Sequence, residues 1–117
     1  MAITLEVLNY SSPDVSDLIK WDPESPNEIL FCLEMEIGEK GKEGGHLFQV
    51  LVATPEAIRH FCKKYDRTVD RNLLIILDYS WTEIDMRIRR IVESCCRDNW
   101  NNSMLCLNRY FKWEYEE

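Results

Sequence analysis

His60 and Cys62 stand two residues apart, with Cys95, Cys96 and Cys106 downstream, and these are the side chains of the 117-residue chain best suited to hold a metal ion or attack an electrophile. Zinc sites are built from chelating pairs such as CxxC and HxxxH, and neither spacing occurs here. On a helix, positions i and i+2 face different ways, so His60 and Cys62 do not converge. A Cys–His nucleophilic pair meets the same objection, with Cys62 on an apolar face and His60 on a wet one, although His46 could approach from elsewhere. The plainer account is one surface histidine and a set of small buried hydrophobes, since free cysteine packs as one. Five cysteines at irregular spacing (the fifth is Cys32) also fit a reducing compartment that keeps them as thiols.

Other catalytic patterns are missing in the same way. Gly38 to Gly45 is glycine-rich but lacks the GxxxxGK[ST] order and leads into a strand instead of a helix N-terminus, so it reads as a hairpin tip. No serine sits in a GxSxG elbow, and no compact acid pair has a partner histidine. Arg87, Arg89, Arg90 and Arg97 cluster, yet Glu83, Asp85 and Glu93 stand four residues before three of them, which describes a solvated helix face compensated by its own pairs. The expectation is a protein without enzymatic activity, metal or cofactor.

The net charge of −7 is carried entirely by residues 1–45, where ten acids meet three lysines; the remainder is balanced. Phosphate binding needs clustered Lys and Arg, so nucleic acid is excluded as a partner, and a field of this sign selects basic ones. Hydrophobic residues at 45% and charged residues at 30% describe an ordinary globular domain, large enough to bury a core without metal or disulfide staples. No apolar run reaches the length of about 20 residues that spans a bilayer, and the opening MAITLEVLNY has neither a basic nor an apolar leader region. A cytosolic protein with no membrane partner is expected.

The elements that would position these groups can be read from periodicity. Ile3, Leu5 and Val7 alternate with polar residues as a first half-buried strand, and Asn9 to Asn27, with three prolines, is a long connection. Ile29, Phe31, Leu33, Met35 and Ile37 recur with period two and turn Glu34 and Glu36 to an acidic outer face. Leu47 to Val52 is apolar on both faces and belongs inside the sheet. Thr54, Pro55 and Glu56 open a helix whose Ala57, Ile58, Phe61, Cys62 and Tyr65 share one face, and a polar loop, Asp66 to Arg71, ends it. Leu73 to Leu77 reads as a buried strand. Ser80 and Glu83 form a capping box before the stripe Ile84, Ile88, Ile91, Val92 and Cys95. Trp100 to Leu107 adds a short helix, and Phe111, Trp113 and Tyr115 alternate as a last strand. The whole is a single α+β domain, residues 1–117: about five strands in a mainly antiparallel sheet that begins as a meander, packed by two main helices and a short third.

Three stretches together resemble the immunity protein 8 family of bacterial polymorphic toxin and contact-dependent growth inhibition systems. They are Glu36-Ile37-Gly38 through Gly41-Lys42-Glu43-Gly44 into Phe48-Gln49-Val50; Ala53-Thr54-Pro55-Glu56; and Leu107-Asn108-Arg109-Tyr110-Phe111-Lys112-Trp113-Glu114-Tyr115-Glu116. The likeness spans residues 28–117 and implies that Trp113 and Tyr115 are core residues. It also implies a non-enzymatic protein that binds the C-terminal domain of a cognate toxin in the cytosol and blocks its active site or substrate path. Many such toxins look like nucleases, RNases among them, with basic clefts that an acidic protein can occupy. The residues expected to carry that binding are Asp14, Asp17, Asp22, Glu24, Glu39 and Glu43, with Trp21 as an aromatic hot spot in the acidic loop. The alternative is a small acidic regulatory module that binds another basic protein.

Overall fold

A computed structural model describes residues 1–65 and 72–114. The elements run β1 (Leu5–Ser11), β2 (Leu30–Glu39), β3 (His46–Ala53), α1 (Pro55–Tyr65), β4 (Leu73–Ile75), α2 (Trp81–Ser94), α3 (Trp100–Leu107) and β5 (Lys112–Trp113). The five strands among the described residues form one sheet in the order β1-β2-β3-β4, antiparallel except for β3 with β4. β4 pairs with Leu51 to Ala53 and β5 with Phe48 and Gln49, so the two short strands share the far edge of β3. The α+β architecture, the opening meander and the interior place of β3 are as the periodicity predicts.

The period of two along β2 decides the layers. Phe31, Leu33, Met35 and Ile37 are almost completely buried, as are Phe48, Val50 and Val52 across the ladder on β3. Against them pack Ile84, Ile88 and Val92 of α2 with its C-cap Cys95, and Cys106 and Leu107 of α3, joined by Phe111. Ser80 caps α2 by accepting from the Glu83 N–H at 3.2 Å, and Asn99 caps α3 by accepting from the Asn102 N–H at 2.8 Å. β3 and β4 run parallel, and the right-handed sense of such crossovers carries α1 over the face away from α2. In keeping with that, no described side chain of α1 belongs to the core, and Ala57, Ile58, Phe61 and Cys62 are half-buried.

Several expectations are corrected. β1 continues to Ser11, three residues into the stretch read as connection, because a bulge between Val7 and Asn9 resets the register and returns Tyr10 to the helix side. There Tyr10 meets Trp81 edge-on at 4.8 Å and donates to Asp85 at 2.8 Å. β4 has three residues and lies at an edge, with Ile75 and Leu77 exposed where a buried strand was expected. The Glu83–Arg87 and Asp85–Arg89 pairs form at 4.0 and 2.9 Å, but Arg97 lies beyond the end of α2 and donates to the Ser94 and Cys96 carbonyls instead of reaching Glu93. β5 is only two residues long, with Phe111 buried ahead of it and Trp113 packed on the core. Tyr115, the loop from Asp66 to Arg71 and the Tyr65 side chain lie outside the described residues.

Thr54 ties the two faces together. Fully buried between β3 and α1, its hydroxyl accepts from the Ile29 N–H at 3.0 Å and the Ala57 N–H at 3.4 Å, capping α1 and fixing the entry to β2. Replacing it by the isosteric valine leaves a buried N–H without a partner. Thr54→Val is expected to lower unfolding free energy in urea by about 2 kcal/mol, and Thr54→Ser, which keeps the oxygen, by about half of that.

Candidate interaction site

The connection from β1 to β2 is long but anchored. Val15 and Leu18 are buried in the core, and Trp21 is half-buried, edge-on to Tyr79 at 4.6 Å and to Phe31 at 5.5 Å. The Tyr79 hydroxyl donates to the Leu18 carbonyl, and the Tyr79 N–H to the Pro26 carbonyl at 2.8 Å. Trp21 therefore holds the loop down on the core, and only part of its surface is open to a partner.

Two of the acids expected to bind a partner also do structural work. The ladder between β1 and β2 ends at the Ser11–Glu34 pair, and Pro13, two residues further on, has no N–H to offer Cys32. Side chains take over: Ser12 Oγ donates to the Cys32 carbonyl at 2.6 Å, and Asp14 Oδ2 accepts from the Cys32 N–H at 2.8 Å. Asp17 Oδ1 accepts from the N–H groups of Ile19 and Lys20 at 3.2 and 3.1 Å, closing an Asx turn. Both residues remain exposed.

The structure sorts the candidate residues into two groups. Asp14, Asp17, Trp21 and Asp22 line one hollow of about 350 Å³, with Lys20 on its wall and Glu24 exposed two residues on. Glu39 and Glu43 line another of about 190 Å³ at the β2–β3 tip, beside His46 and Trp100. Glu39 is already 3.5 Å from Lys42. Gly41 and Gly44 carry positive φ in this tip, the role expected of its glycines. The seven strand steps from Cys32 to Glu39 separate the groups by about 23 Å. They form no single compact patch. Between them, on the face away from α2, lie Glu34 and Glu36 of β2 and Glu6 of β1, which the choice of candidates passed over. The alternation along β2 already signals the first two.

The groups first considered for chemistry are dispersed. His60 faces Glu28 at 3.9 Å, and among the described residues no three His, Cys, Asp or Glu side chains are placed to share a metal ion. Cys95 is fully buried, and that burial, reinforced by a hydrogen bond with Cys106, pushes its thiol up to about 12 from an ordinary 9.0. Burial and the Asp85 contact raise Tyr10, and burial followed by the Asp17 carboxylate raises Tyr79. All three hold their protons in the folded state at a pH where the unfolded chain gives them up. Their contribution to stability is complete below about pH 9 and is lost as the pH rises toward 12. Thermal melts across pH 8 to 11 should show a falling midpoint, less steep in Cys95→Ala, and native Cys95 should resist a thiol reagent at pH 8.

No described helix is long and apolar enough to cross a membrane. Neither the curated proteins nor the solved structures contain a match to this chain. The model of the immunity protein 8 family, in contrast, matches residues 5–117, so the likeness extends upstream through β1 and the acidic loop as well as the hairpin and the aromatic ending. An immunity protein acts on a toxin partner, and what this fold offers is surface: two acidic hollows and an acidic sheet face on a well-packed core. The chain belongs to the immunity protein 8 family.

Proposed function

We propose that this protein neutralises its cognate toxin by binding alone, and that the toxin domain is a basic nuclease whose phosphate-reading cleft the acidic half occupies. The observation that carries the reading is the family match over residues 5–117, joined to a net charge of −7 held wholly within residues 1–45. Asp14, Asp17, Asp22, Glu24, Glu39 and Glu43 supply the attraction, and the accessible part of Trp21 adds apolar contact between the first four. Steering by such a field accelerates encounter by ten- to a thousand-fold at low salt, the regime an immunity protein needs if toxin is to be captured before it acts. Binding takes place in the cytosol, where a nuclease finds its substrate.

The roles of Asp14 and Asp17 in the backbone dictate the form of the test. Charge reversal there would also remove the bonds to Cys32, Ile19 and Lys20. Asparagine keeps an acceptor oxygen in both places and removes only the charge. A variant with Asp14→Asn, Asp17→Asn, Asp22→Asn, Glu24→Gln, Glu39→Gln and Glu43→Gln should melt within a few degrees of the parent. Its association rate with a catalytically inactive form of the toxin domain encoded beside it should fall at least about ten-fold at low salt, with a flatter salt dependence. An unchanged rate and an unchanged salt slope would refute the electrostatic part of this reading; failure of the parent to protect cells expressing the active domain would refute neutralisation itself.

A further inference from the structure

The face of the sheet turned away from α2 and α3 has a composition that folding does not require. Reading across it from β1 through β2 to β3, Ser11 lies beside Glu34 and Gln49, Asn9 beside Glu36 and Leu47, and Glu6 beside Gly38. The row that holds Glu34 and Gln49 ends at Lys112 of β5, and no strand position on this side of β1, β2 or β3 holds Lys or Arg. Glu6, Glu34 and Glu36 have no hydrogen-bond or ion-pair partner among the described residues, although all three are half-buried by their neighbours. Glu34 and Glu36 are about 7 Å apart along one strand, and Glu6 lies diagonally across from Glu36 at a similar spacing. Like charges so placed repel and lower stability.

Apolar side chains stand among them where solvent would favour polar ones. Leu8 and Leu47 are 43% and 39% exposed. Leu8 reaches this side through the β-bulge, and its Cδ1 would lie 3.2 Å from a Cβ on Gly38. A Cβ on Gly38 or Gly45 would meet backbone first, the Gly44 and Ile37 carbonyl oxygens, so these glycines let the two strands approach closely at the tip. The right-handed crossover from β3 to β4 carries α1 over the β3–β4 side of this face. What remains open is the β1–β2–β3 part, which lies between the two acidic hollows.

We propose that this open face, centred on Glu36 and flanked by Leu8 and Leu47, is the main docking surface for the cognate toxin domain. The occupant is a protein surface that presents Arg or Lys side chains between apolar ones. The inference rests on the immunity reading and deepens it by naming the surface. Charge complementarity favours this occupant: three unpaired carboxylates, already partly desolvated, gain partners on binding, and the two leucines are covered. A standard interface of about 800 Å² per partner is about 30 Å across, wide enough to run along β2 from Cys32 to the tip. The face then supplies the buried centre, and the loop and tip acids supply steering from the edge.

The probe is the inactive C-terminal domain of the toxin encoded beside this chain, with affinity measured by surface plasmon resonance and protection scored by growth on co-expression with the active domain. Glu34→Lys/Glu36→Lys should weaken binding at least about 30-fold, mainly through faster dissociation, and abolish protection. Glu34→Gln/Glu36→Gln adds no new charge and carries the test if the lysine variant is unfolded. It should lose about ten-fold in affinity while its melting midpoint stays the same or rises, because repulsion is relieved. Leu47→Ser should weaken binding as well. If the parent binds tightly and both double variants match it, this surface is wrong while the immunity reading stands. If the parent neither binds nor protects, the immunity reading fails first.

Discussion

The alternation along β2 is the constraint on which the rest of the molecule depends. Once Phe31, Leu33, Met35 and Ile37 turn toward α2, the pleat leaves Cys32, Glu34 and Glu36 no choice but the opposite face. A slip of one residue would bury two carboxylates and expose four large apolar side chains, so the register is held by a penalty that no other part of the fold could offset. The same strand brings the loop to one of its ends and the glycine tip to the other. The core, the acidic face and the distance between the two hollows are therefore consequences of one ten-residue segment.

Several polar side chains near this strand serve twice. Asp14 completes the ladder where Pro13 cannot, Asp17 closes the turn that lets Leu18 and Trp21 reach the core, and both still present charge to solvent. Thr54 caps α1 and fixes the entry to β2 with one oxygen. Glu6, Glu34 and Glu36 differ in that no described contact uses their carboxylates. The contrast separates acids that fold the protein from acids that only charge its surface.

Much of the fold was legible because it rests on local, periodic signals. The β2 and β3 strands, the Thr54-Pro55-Glu56 helix start, the Ser80 cap and the α2 stripe each express burial or capping within one or two turns of chain. The bulge at Leu8 was not legible, because it depends on which residues of β2 lie opposite. The shortness of β4 and β5 was hidden for a similar reason: both compete for one edge of β3, and the sequence contains no record of that competition. Arg97 was paired with Glu93 on spacing alone, yet α2 ends at Ser94 and the guanidinium turns to nearby carbonyls. Of the candidate site, the acidity and its location could be read directly. That Trp21 is a packing anchor could not, since an aromatic in a polar loop looks the same whether it lies on Phe31 and Tyr79 or on a partner.

Taken by itself, the sequence determined the class of the fold, the side of each long element that is buried, the sign of the surface and the family, because composition, periodicity and short motifs are properties of neighbouring residues. Only the tertiary structure decided which acids stand together. Glu6 joins Glu36 through the pairing of strands that are thirty residues apart, Asp14 is claimed by a backbone N–H eighteen residues away, and the loop acids and tip acids lie at opposite ends of one strand. Register and long-range hydrogen bonding set these relations. They arise from the packing of the whole chain, whose cost and gain no single segment carries.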